Sequence, residues 1–306
     1  MPMTDDADLR QWREEGFLVR PGFLAADDVA ALRERAWALV DACEPAGAAV
    51  FSTRDRARLA DAALIASGSE VHAFFEEEAV APEGGGLRVP RRHAINKIGH
   101  ALHDREPLFE RCSRDPRLAA LAGELGIGEP QLWQSMLIFK QPRIGGEVTW
   151  HQDATFLATE PDTVVGFWFA LEDADEQNGC LWVEPGGHRG PLRERYVREE
   201  AAGVAREGPR EGSSDETQGG ASVRLRMCSL DTTPWPTAER ARPLPVPAGT
   251  LVVLHGYLPH YSAPNRSAVS RLAYSLHVTD GRARYLPGNW LQRGPDFPVR
   301  GFGPPA

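Results

Sequence analysis

The second half of the chain consists of short apolar runs separated by turn residues. Turn signals such as Asn178-Gly179 and Pro185-Gly186-Gly187 divide these runs. This spacing predicts an all-β sandwich or barrel, and the lack of helical runs between the strands weighs against a parallel sheet. Six runs are rich in Val, Phe, Trp, Leu and Tyr: PQLWQSMLIFKQ, EVTWHQDATFLAT, TVVGFWFALEDA, GCLWVEP, GTLVVLHGY and RLAYSLHVT.

Helical patterns dominate the chain before residue 128. One of the helices begins near Ala25, where Asp27 or Asp28 can serve as N-cap. Its apolar residues recur at helical spacing on one face, namely Val29, Leu32, Ala36 and Leu39. The patterns predict a strand over 17–24 and helices over 7–15, 25–40, 69–78 and 105–126.

These patterns predict a single domain over residues 1–306. Residues 1–128 would be mainly helical support, 129–282 the β core and 283–306 a C-terminal extension. The polar, glycine-rich segment 203–222 cannot bury apolar area, and we expect a mobile loop there. Two interpretations of this loop stay open, an insert without function and a lid that orders over a substrate.

Charge and cysteine usage exclude several classes of protein. The net charge of −9 argues against a broad nucleic-acid surface and gives no help in binding an anionic membrane. The charged N-terminus has no apolar core of a signal peptide, and no run approaches the length of a membrane span. Four scattered cysteines without a C-x-x-C pair are typical of reduced thiols, so we expect a cytoplasmic protein.

The stretch TWHQDATFL places His151 and Asp153 two residues apart in an apolar setting. Nine histidines and 43 acidic residues among 306 positions predict about 1.3 such pairs by chance, and the chain contains one, so the pair alone carries almost no information. If the segment is extended, however, both side chains point to the same side and can bind one ion.

A third metal-ligand candidate, His260, lies in the proline-flanked segment LPHYSAPN. Two imidazoles and one carboxylate on one face of iron form a triad that leaves open positions for substrate and dioxygen. His255 is a competing candidate, but two histidines are enough, so we expect it to be structural. We expect His277 to be a core histidine or to support a metal ligand.

Several segments together resemble the phytanoyl-CoA dioxygenase family of iron(II)- and 2-oxoglutarate-dependent oxygenases. They occur in the family's order and span nearly the whole chain. The matching pieces are GFLVRPGFL, INKIGHALH, QSMLIFKQP, GGEVTWHQDATFL, NGCLWVEPGGH, HGYLPHYSAPNRS and NWLQ. The resemblance implies a double-stranded β-helix (jelly-roll) core with flanking helices.

The resemblance also implies roles for individual residues. His151, Asp153 and His260 match the iron(II) ligands. Arg271, eleven residues after His260, matches the arginine that binds the distal carboxylate of 2-oxoglutarate, and a guanidinium suits a carboxylate because it pairs in a planar two-bond fork. Ser262 matches a residue whose hydroxyl hydrogen-bonds the same carboxylate. Lys97, Met136 and Trp168 match positions that line the cosubstrate pocket.

Ordinary structural roles are the alternatives for the less specific residues. Lys97 can be a solvated lysine, and Met136 or Trp168 can be simple core residues. His100 and His103 follow Lys97 closely, and either can face the pocket. His188 can reach its mouth. We expect the remaining basic candidates, Arg91, Arg92 and Arg143, to be solvated surface.

The resemblance implies a dioxygenase that uses iron(II), 2-oxoglutarate and dioxygen, with ascorbate as an aid in vitro. Related halogenases replace the carboxylate ligand by a small residue, so Asp153 favours hydroxylation or desaturation. We expect a small to medium organic substrate, and neither the acceptance of a CoA ester nor the oligomeric state follows from the sequence. The alternatives are a catalytically silent binding protein that acts as a sensor or scaffold, and, more weakly, a zinc hydrolase.

Overall fold

The computed structural model describes residues 3–43, 49–51, 61–81, 86–200 and 223–303. The glycine-rich segment 203–222 lies outside these residues. The helices are α1 (Asp6–Glu15), α2 (Ala26–Ala42), α3 (Asp61–Ser67), α4 (Arg91–Ala94), α5 (Leu102–Arg105), α6 (Pro107–Ser113), α7 (Pro116–Glu124) and α8 (Ala154–Leu157).

Sixteen strands are present in the described part of the chain. The first eight are β1 (Phe17–Arg20), β2 (Ala49–Phe51), β3 (Val71–Glu76), β4 (Ile95–His100), β5 (Pro130–Lys140), β6 (Val148–His151), β7 (Thr159–Glu160) and β8 (Val165–Ala170). The others are β9 (Leu181–Val183), β10 (Glu194–Glu200), β11 (Val223–Ser229), β12 (Arg242–Leu244), β13 (Leu251–His255), β14 (His260–Ser262), β15 (Arg271–Asp280) and β16 (Arg284–Tyr285).

Two sheets form the core. The larger sheet has eight strands in the order β1-β13-β8-β15-β5-β4-β3-β2, and the smaller has four in the order β12-β9-β14-β6. Their named strand pairs are antiparallel except for β2 with β3, and neither sheet closes into a barrel. This confirms the predicted jelly-roll core with flanking helices.

The predicted helix over residues 69–78 is wrong. Residues Val71–Glu76 form strand β3, which pairs with β4 and so extends the large sheet. Its last three residues, Phe74, Phe75 and Glu76, are buried. Pairing with β4 therefore outweighs the local helical pattern, because strand formation depends on neighbours that are distant in sequence. The predicted strand 17–24 is shorter than expected, since β1 ends at Arg20.

Helix α2 confirms the prediction over 25–40, but its start differs. The N-cap is Ala25, which makes no side-chain capping bond, whereas Asp27 and Asp28 lie inside the first turn. Acidic groups there still interact favourably with the helix dipole. The buried face is the predicted one except that Val40 replaces Leu39. The single helix expected over 105–126 is divided into α6 and α7, since the proline at residue 116 starts a new helix.

The outer face of the large sheet packs against the helices. Alternate residues of β8 and β15, such as Phe167, Phe169 and Tyr274, lie in one cluster with Leu32 of α2 and Leu118 of α7. The other face of β8 carries Trp168 and Ala170, which pack with Leu181 and Val183 of the small sheet. Alternation along the strands thus sends one set of side chains toward the helices and the other between the sheets.

Two expectations from the sequence concern the cysteines and membrane-spanning segments. All four cysteines are free thiols in the structure. Among the described residues, no helix has both the length and the apolar character needed to cross a membrane.

Replacing Phe169 by Ala should test the helix–sheet interface. This ring is fully buried and lies 6.0 Å from Phe23 and 5.9 Å from Tyr274 between ring centroids. We expect the free energy of unfolding to fall by about 3–5 kcal/mol in urea titrations, because apolar burial is lost and a cavity remains. Val269→Ala is the control, since Val269 is 63% exposed and should change stability little. Equal losses in both variants would contradict this packing.

Candidate metal centre

Strand pairing brings two predicted metal ligands together. In the small sheet β14 pairs with β6, and His260 lies directly opposite His151. The register shifts between His260 and Ser262, so the pairing is irregular immediately beyond His260. Cross-strand neighbours of this kind have Cβ atoms about 4.5–5.5 Å apart. The two imidazole ring centroids are 4.1 Å apart.

Asp153 does not lie on the strand, which corrects the expectation of an extended His-x-Asp segment. Strand β6 ends at His151, and Asp153 is the N-cap of helix α8 with φ −61° and ψ −34°. The chain turns there because the amide of Ala154 donates to the carbonyl of Gly256 at 3.0 Å, and that of Phe156 to the carbonyl of Asp153. The turn, rather than strand alternation, directs the carboxylate toward the imidazoles.

The three side chains form one compact donor set. Ligand atoms of His151, Asp153 and His260 all lie within 4.8 Å of one another. Oδ1 of Asp153 is 3.9 Å from Nε2 of His151 and 3.6 Å from Nε2 of His260. This is the only group of three or more such residues found in the described part of the chain.

Backbone carbonyls fix the tautomer of both histidines. Nδ1 of His151 lies 2.8 Å from the carbonyl of Thr149, and Nδ1 of His260 lies 3.0 Å from that of Leu258. A carbonyl only accepts, so each Nδ1 carries the proton and each Nε2 keeps its lone pair on the side of Asp153. Metal-binding histidines characteristically show this arrangement. Two neutral imidazoles and one carboxylate fit a divalent iron ion in a site with open positions.

The Asp153 carboxylate stays ionised although it is buried. Burial alone would raise its pKa, but the nearby imidazoles of His277 and His260 outweigh that effect, and the net shift of the pKa is downward. His277 lies closest, with Nε2 3.1 Å from Oδ1. The site therefore holds a buried negative charge, which attracts a cation strongly.

Gly166 leaves the space that this carboxylate occupies. A Cβ at position 166 would lie 2.6 Å from Oδ2 of Asp153 and 3.7 Å from Cδ2 of His277. Gly166 is on β8 of the large sheet, opposite His277 on β15. The large sheet thus approaches the metal ligands closely only because residue 166 has no side chain.

The residues expected at the distal carboxylate of 2-oxoglutarate form a second buried cluster. Nη2 of Arg271 lies 3.4 Å from Oγ of Ser262, and the guanidinium carbon is 5.7 Å from the centre of the Trp168 ring. The guanidinium also donates to backbone carbonyls of Gly179 and Ile138. Among the described residues it has no carboxylate within ion-pair distance, and burial lowers the pKa of Arg271 to about 10.

The other two predicted pocket residues line the cavity beside the metal ligands. Lys97 on β4 and Met136 on β5 face a space of about 430 Å³ that also reaches His151 and Asp153. Arg271, Ser262 and Trp168 do not line this space directly. Lys140 connects the two clusters, because it lines the cavity while its Nζ donates to the carbonyl of Ser262 at 3.3 Å.

Two further cavity residues were not expected from the sequence. Lys140 is only 1% exposed and donates to the carbonyl of Gly146 at 2.5 Å. Glu76 is also buried and accepts from the amide of Gly146 at 3.1 Å, and burial raises the pKa of Glu76 to about 7. In the sequence, the position of Lys140 at the end of the apolar run MLIFK could have indicated a buried lysine. Glu76 gave none, because its strand was assigned to a helix.

The remaining histidines lie outside the metal group. The rings of His255 and His188 have centroids 4.9 Å apart, and His255 accepts a hydrogen bond from the amide of Tyr257. These contacts support a structural role for His255. His100 lines the cavity and shares a hydrogen bond with Ser67, whereas His103 is fully buried against Ser135 and Asp104.

The arginines expected on the surface lie in two different places. Arg92 forms a surface ion pair with Asp41, and Arg91 donates to the backbone carbonyl of Asp41. Arg143 is exposed, as expected, and it also lines the cavity.

Comparisons with known proteins identify the family of this chain. The family model of phytanoyl-CoA dioxygenase (PhyH) matches residues 12–273. "Phytanoyl-CoA dioxygenase 1" of Oryza sativa subsp. japonica is 40% identical over 294 residues, which cover 94% of each chain. "Phytanoyl-CoA dioxygenase domain-containing protein 1" of Mus musculus is 38% identical and covers 97% of this chain and 98% of its own.

Solved structures show the same fold at low identity. A non-heme alpha ketoglutarate dependent carbocyclase, SnoK from nogalamycin biosynthesis, matches with a TM-score of 0.57, 17% identity and coverage of 98% of both chains. EctD from S. alaskensis, solved with 2-oxoglutarate and 5-hydroxyectoine, matches with a TM-score of 0.59, 19% identity and coverage of 96% of this chain and 85% of its own.

Gly166→Ala should disrupt the metal centre while the strands remain. The added methyl group would displace the Asp153 carboxylate, so we expect affinity for Mn(II), measured by isothermal titration calorimetry, to fall by about 10- to 100-fold, as when a metal ligand loses its orientation. Gly123→Ala is the control, because a Cβ at Gly123 meets nothing within 4 Å. Unchanged Mn(II) affinity in Gly166→Ala would show that the carboxylate is not confined as described.

Proposed function

The chain belongs to the phytanoyl-CoA dioxygenase family of iron- and 2-oxoglutarate-dependent oxygenases, and from this membership we propose that it hydroxylates or desaturates a small to medium organic substrate. The observation that carries the proposal is the compact donor set of two imidazoles and one carboxylate, with both Nε2 lone pairs directed at the carboxylate side. Succinate and carbon dioxide would be the products of the cosubstrate.

The metal would be held by His151, Asp153 and His260. When bound, iron(II) supplies the dioxygen chemistry that no amino-acid side chain provides. The chain's own contribution is to fix the ligand atoms, to keep the carboxylate ionised and to shield the site from water. Asp153 fills the position that an added halide would need, which supports hydroxylation or desaturation rather than halogenation.

The cosubstrate would extend from the metal ligands toward Arg271. Ser262 follows His260 by two residues on β14, a distance of about 6.6 Å along a strand, which suits an extended five-carbon dicarboxylate. At that distance the Ser262 hydroxyl and the buried guanidinium lie together. A buried cation without an ion pair is costly, and a bound carboxylate removes that cost.

Lys97, Met136 and Trp168 would complete the cosubstrate pocket. Lys97 and Met136 line the cavity on the β4–β5 side, and Trp168 provides a flat apolar wall under the guanidinium. Lys140 adds a second basic group close to Ser262; burial and the charge of Arg271 lower the pKa of Lys140, and a bound carboxylate would favour its charged form. Two neighbouring cations are suited to one end of a dianion.

The cavity itself supports the assignment of substrate size. A space of about 430 Å³ lies within the usual range for small-molecule sites. Its walls mix apolar side chains with a few polar groups, which is typical of such sites. The apolar members include Leu64, Phe156, Leu157 and Trp290.

A catalytically silent sensor or scaffold would need damage to the triad or to the arginine. His151, Asp153 and His260 lie together, and Arg271 lies beside Ser262, which supports an oxygenase. A zinc hydrolase would leave the Arg271–Ser262–Trp168 cluster without a ligand to bind.

Uncoupled turnover of 2-oxoglutarate tests the activity without a known substrate. We expect purified protein with iron(II), ascorbate and dioxygen to form succinate, measured by mass spectrometry, and Asp153→Ala to reach only the metal-free background. Asp162→Asn is the control, because Asp162 is a partly buried acid that lies outside the metal group. If the wild type forms no succinate above background and Asp153→Ala binds 2-oxoglutarate equally well, the oxygenase proposal fails.

Arg271→Gln tests the cosubstrate site. Losing a charge-assisted interaction of about 1.5–3 kcal/mol should weaken 2-oxoglutarate binding about 10- to 100-fold. Calorimetry with the Mn(II) protein measures this directly. Arg271→Lys should recover only part of the affinity, since an ammonium cannot form the two-bond fork. Arg266→Gln is the control, an exposed arginine at the cavity. Equal affinities in Arg271→Gln and the wild type would place the distal carboxylate elsewhere.

A further inference from the structure

His277 lies beside the metal ligands without belonging to their donor set. It is carried by β15 of the large sheet, where the pairing with β5 shifts register between His277 and Val278. Nε2 of His277 is 3.1 Å from Oδ1 of Asp153, closer than Nε2 of either His151 or His260. The side chain is 8% exposed.

We propose that His277 is a positioning residue that holds Asp153 as a one-oxygen metal ligand, an inference that rests on the proposed iron site. A carboxylate that binds through one oxygen leaves coordination positions for the cosubstrate and dioxygen, whereas one that binds through both would use one of those positions. The sequence resemblance assigns no such role to His277.

The hydrogen bond determines which nitrogen carries the proton. Ionised Asp153 can only accept, so Nε2 of His277 donates and has no lone pair for a metal. Nδ1 of His277 is buried and has no hydrogen-bond partner among the described residues. His277 differs in this from His151 and His260, whose Nδ1 atoms donate to carbonyls and whose Nε2 atoms face Asp153. Asp153 is thus the polar partner that fixes this ring.

The carboxylate is confined on its other side as well. Oδ2 of Asp153 faces the backbone of Gly166, where even a Cβ would lie only 2.6 Å away. The hydrogen bond from His277 directs Oδ1 to the side of the two metal-binding imidazoles. Turning the carboxylate to offer both oxygens would break that bond and press Oδ2 against β8. The large sheet therefore sets the orientation of a ligand carried by the segment after β6.

Measurements of metal affinity can distinguish a positioning role of His277 from a role in packing alone. Outer partners of metal ligands typically contribute 10- to 100-fold in affinity. We expect His277→Leu to weaken Co(II) binding by about this factor in competition titrations. His277→Gln should recover most of the affinity, because its amide still donates to Asp153. Ser275→Ala is the matched control, a buried change two residues earlier on the same strand. Equal affinities in the Leu, Gln and wild-type proteins would overturn the proposal.

A second measurement counts the metal-bound histidines in the wild-type protein directly. In the Co(II) protein, proton NMR reveals strongly shifted exchangeable N–H signals from metal-bound imidazoles. We expect two such signals, from Nδ1–H of His151 and of His260. A third signal of similar shift that disappears in His277→Gln would make His277 a metal ligand and overturn the proposal. Neither experiment needs turnover, so an absence of succinate formation would count against the proposed function alone.

Discussion

The pairing of β14 with β6 is the contact on which the site depends. It places His260 opposite His151 although the two residues are far apart in the chain, and it gives both imidazoles a common direction. Neither strand lies in the large sheet that packs against the helices. The small sheet thus supplies two metal ligands, and the turn after β6 adds Asp153. Loss of this register would separate the ligands even if every residue were kept.

Two buried charges of opposite sign define the ends of the proposed cosubstrate site. Asp153 lies among imidazoles and its pKa is shifted downward despite burial, while Arg271 lies between carbonyls, a hydroxyl and an indole and has no ion pair among the described residues. Burying an unpaired guanidinium costs stability, and nothing among the described residues offsets that cost with a carboxylate. Such an arrangement favours binding of an anion over stability of the empty protein, which is characteristic of functional sites.

The sequence predicted those features that local pattern or family resemblance can carry. Each of the six apolar runs contains a strand, and the three candidate metal ligands were named before the structure brought them together. Strand β3 was missed because its pairing with β4 is not visible locally. The turn at Asp153 was missed for the same reason, since its hydrogen bond to Gly256 joins distant segments. The contact of His277 with Asp153 depends on the register of two sheets, so periodicity alone placed it only in the core or near the site.

The walls of the cavity come from different parts of the fold, which explains why the metal centre alone does not indicate the substrate. His151, His260 and Arg271 lie on strands of the jelly roll, and Asp153 lies in the turn after β6. The far side of the cavity comes from other elements: Leu64 from α3, Glu76 from β3 and Trp290 from the segment after β16. Substitutions in these elements can reshape the cavity without disturbing β14 or β6. A family that keeps one oxidation chemistry can therefore change its substrates through these other elements while the strands around the metal centre stay the same.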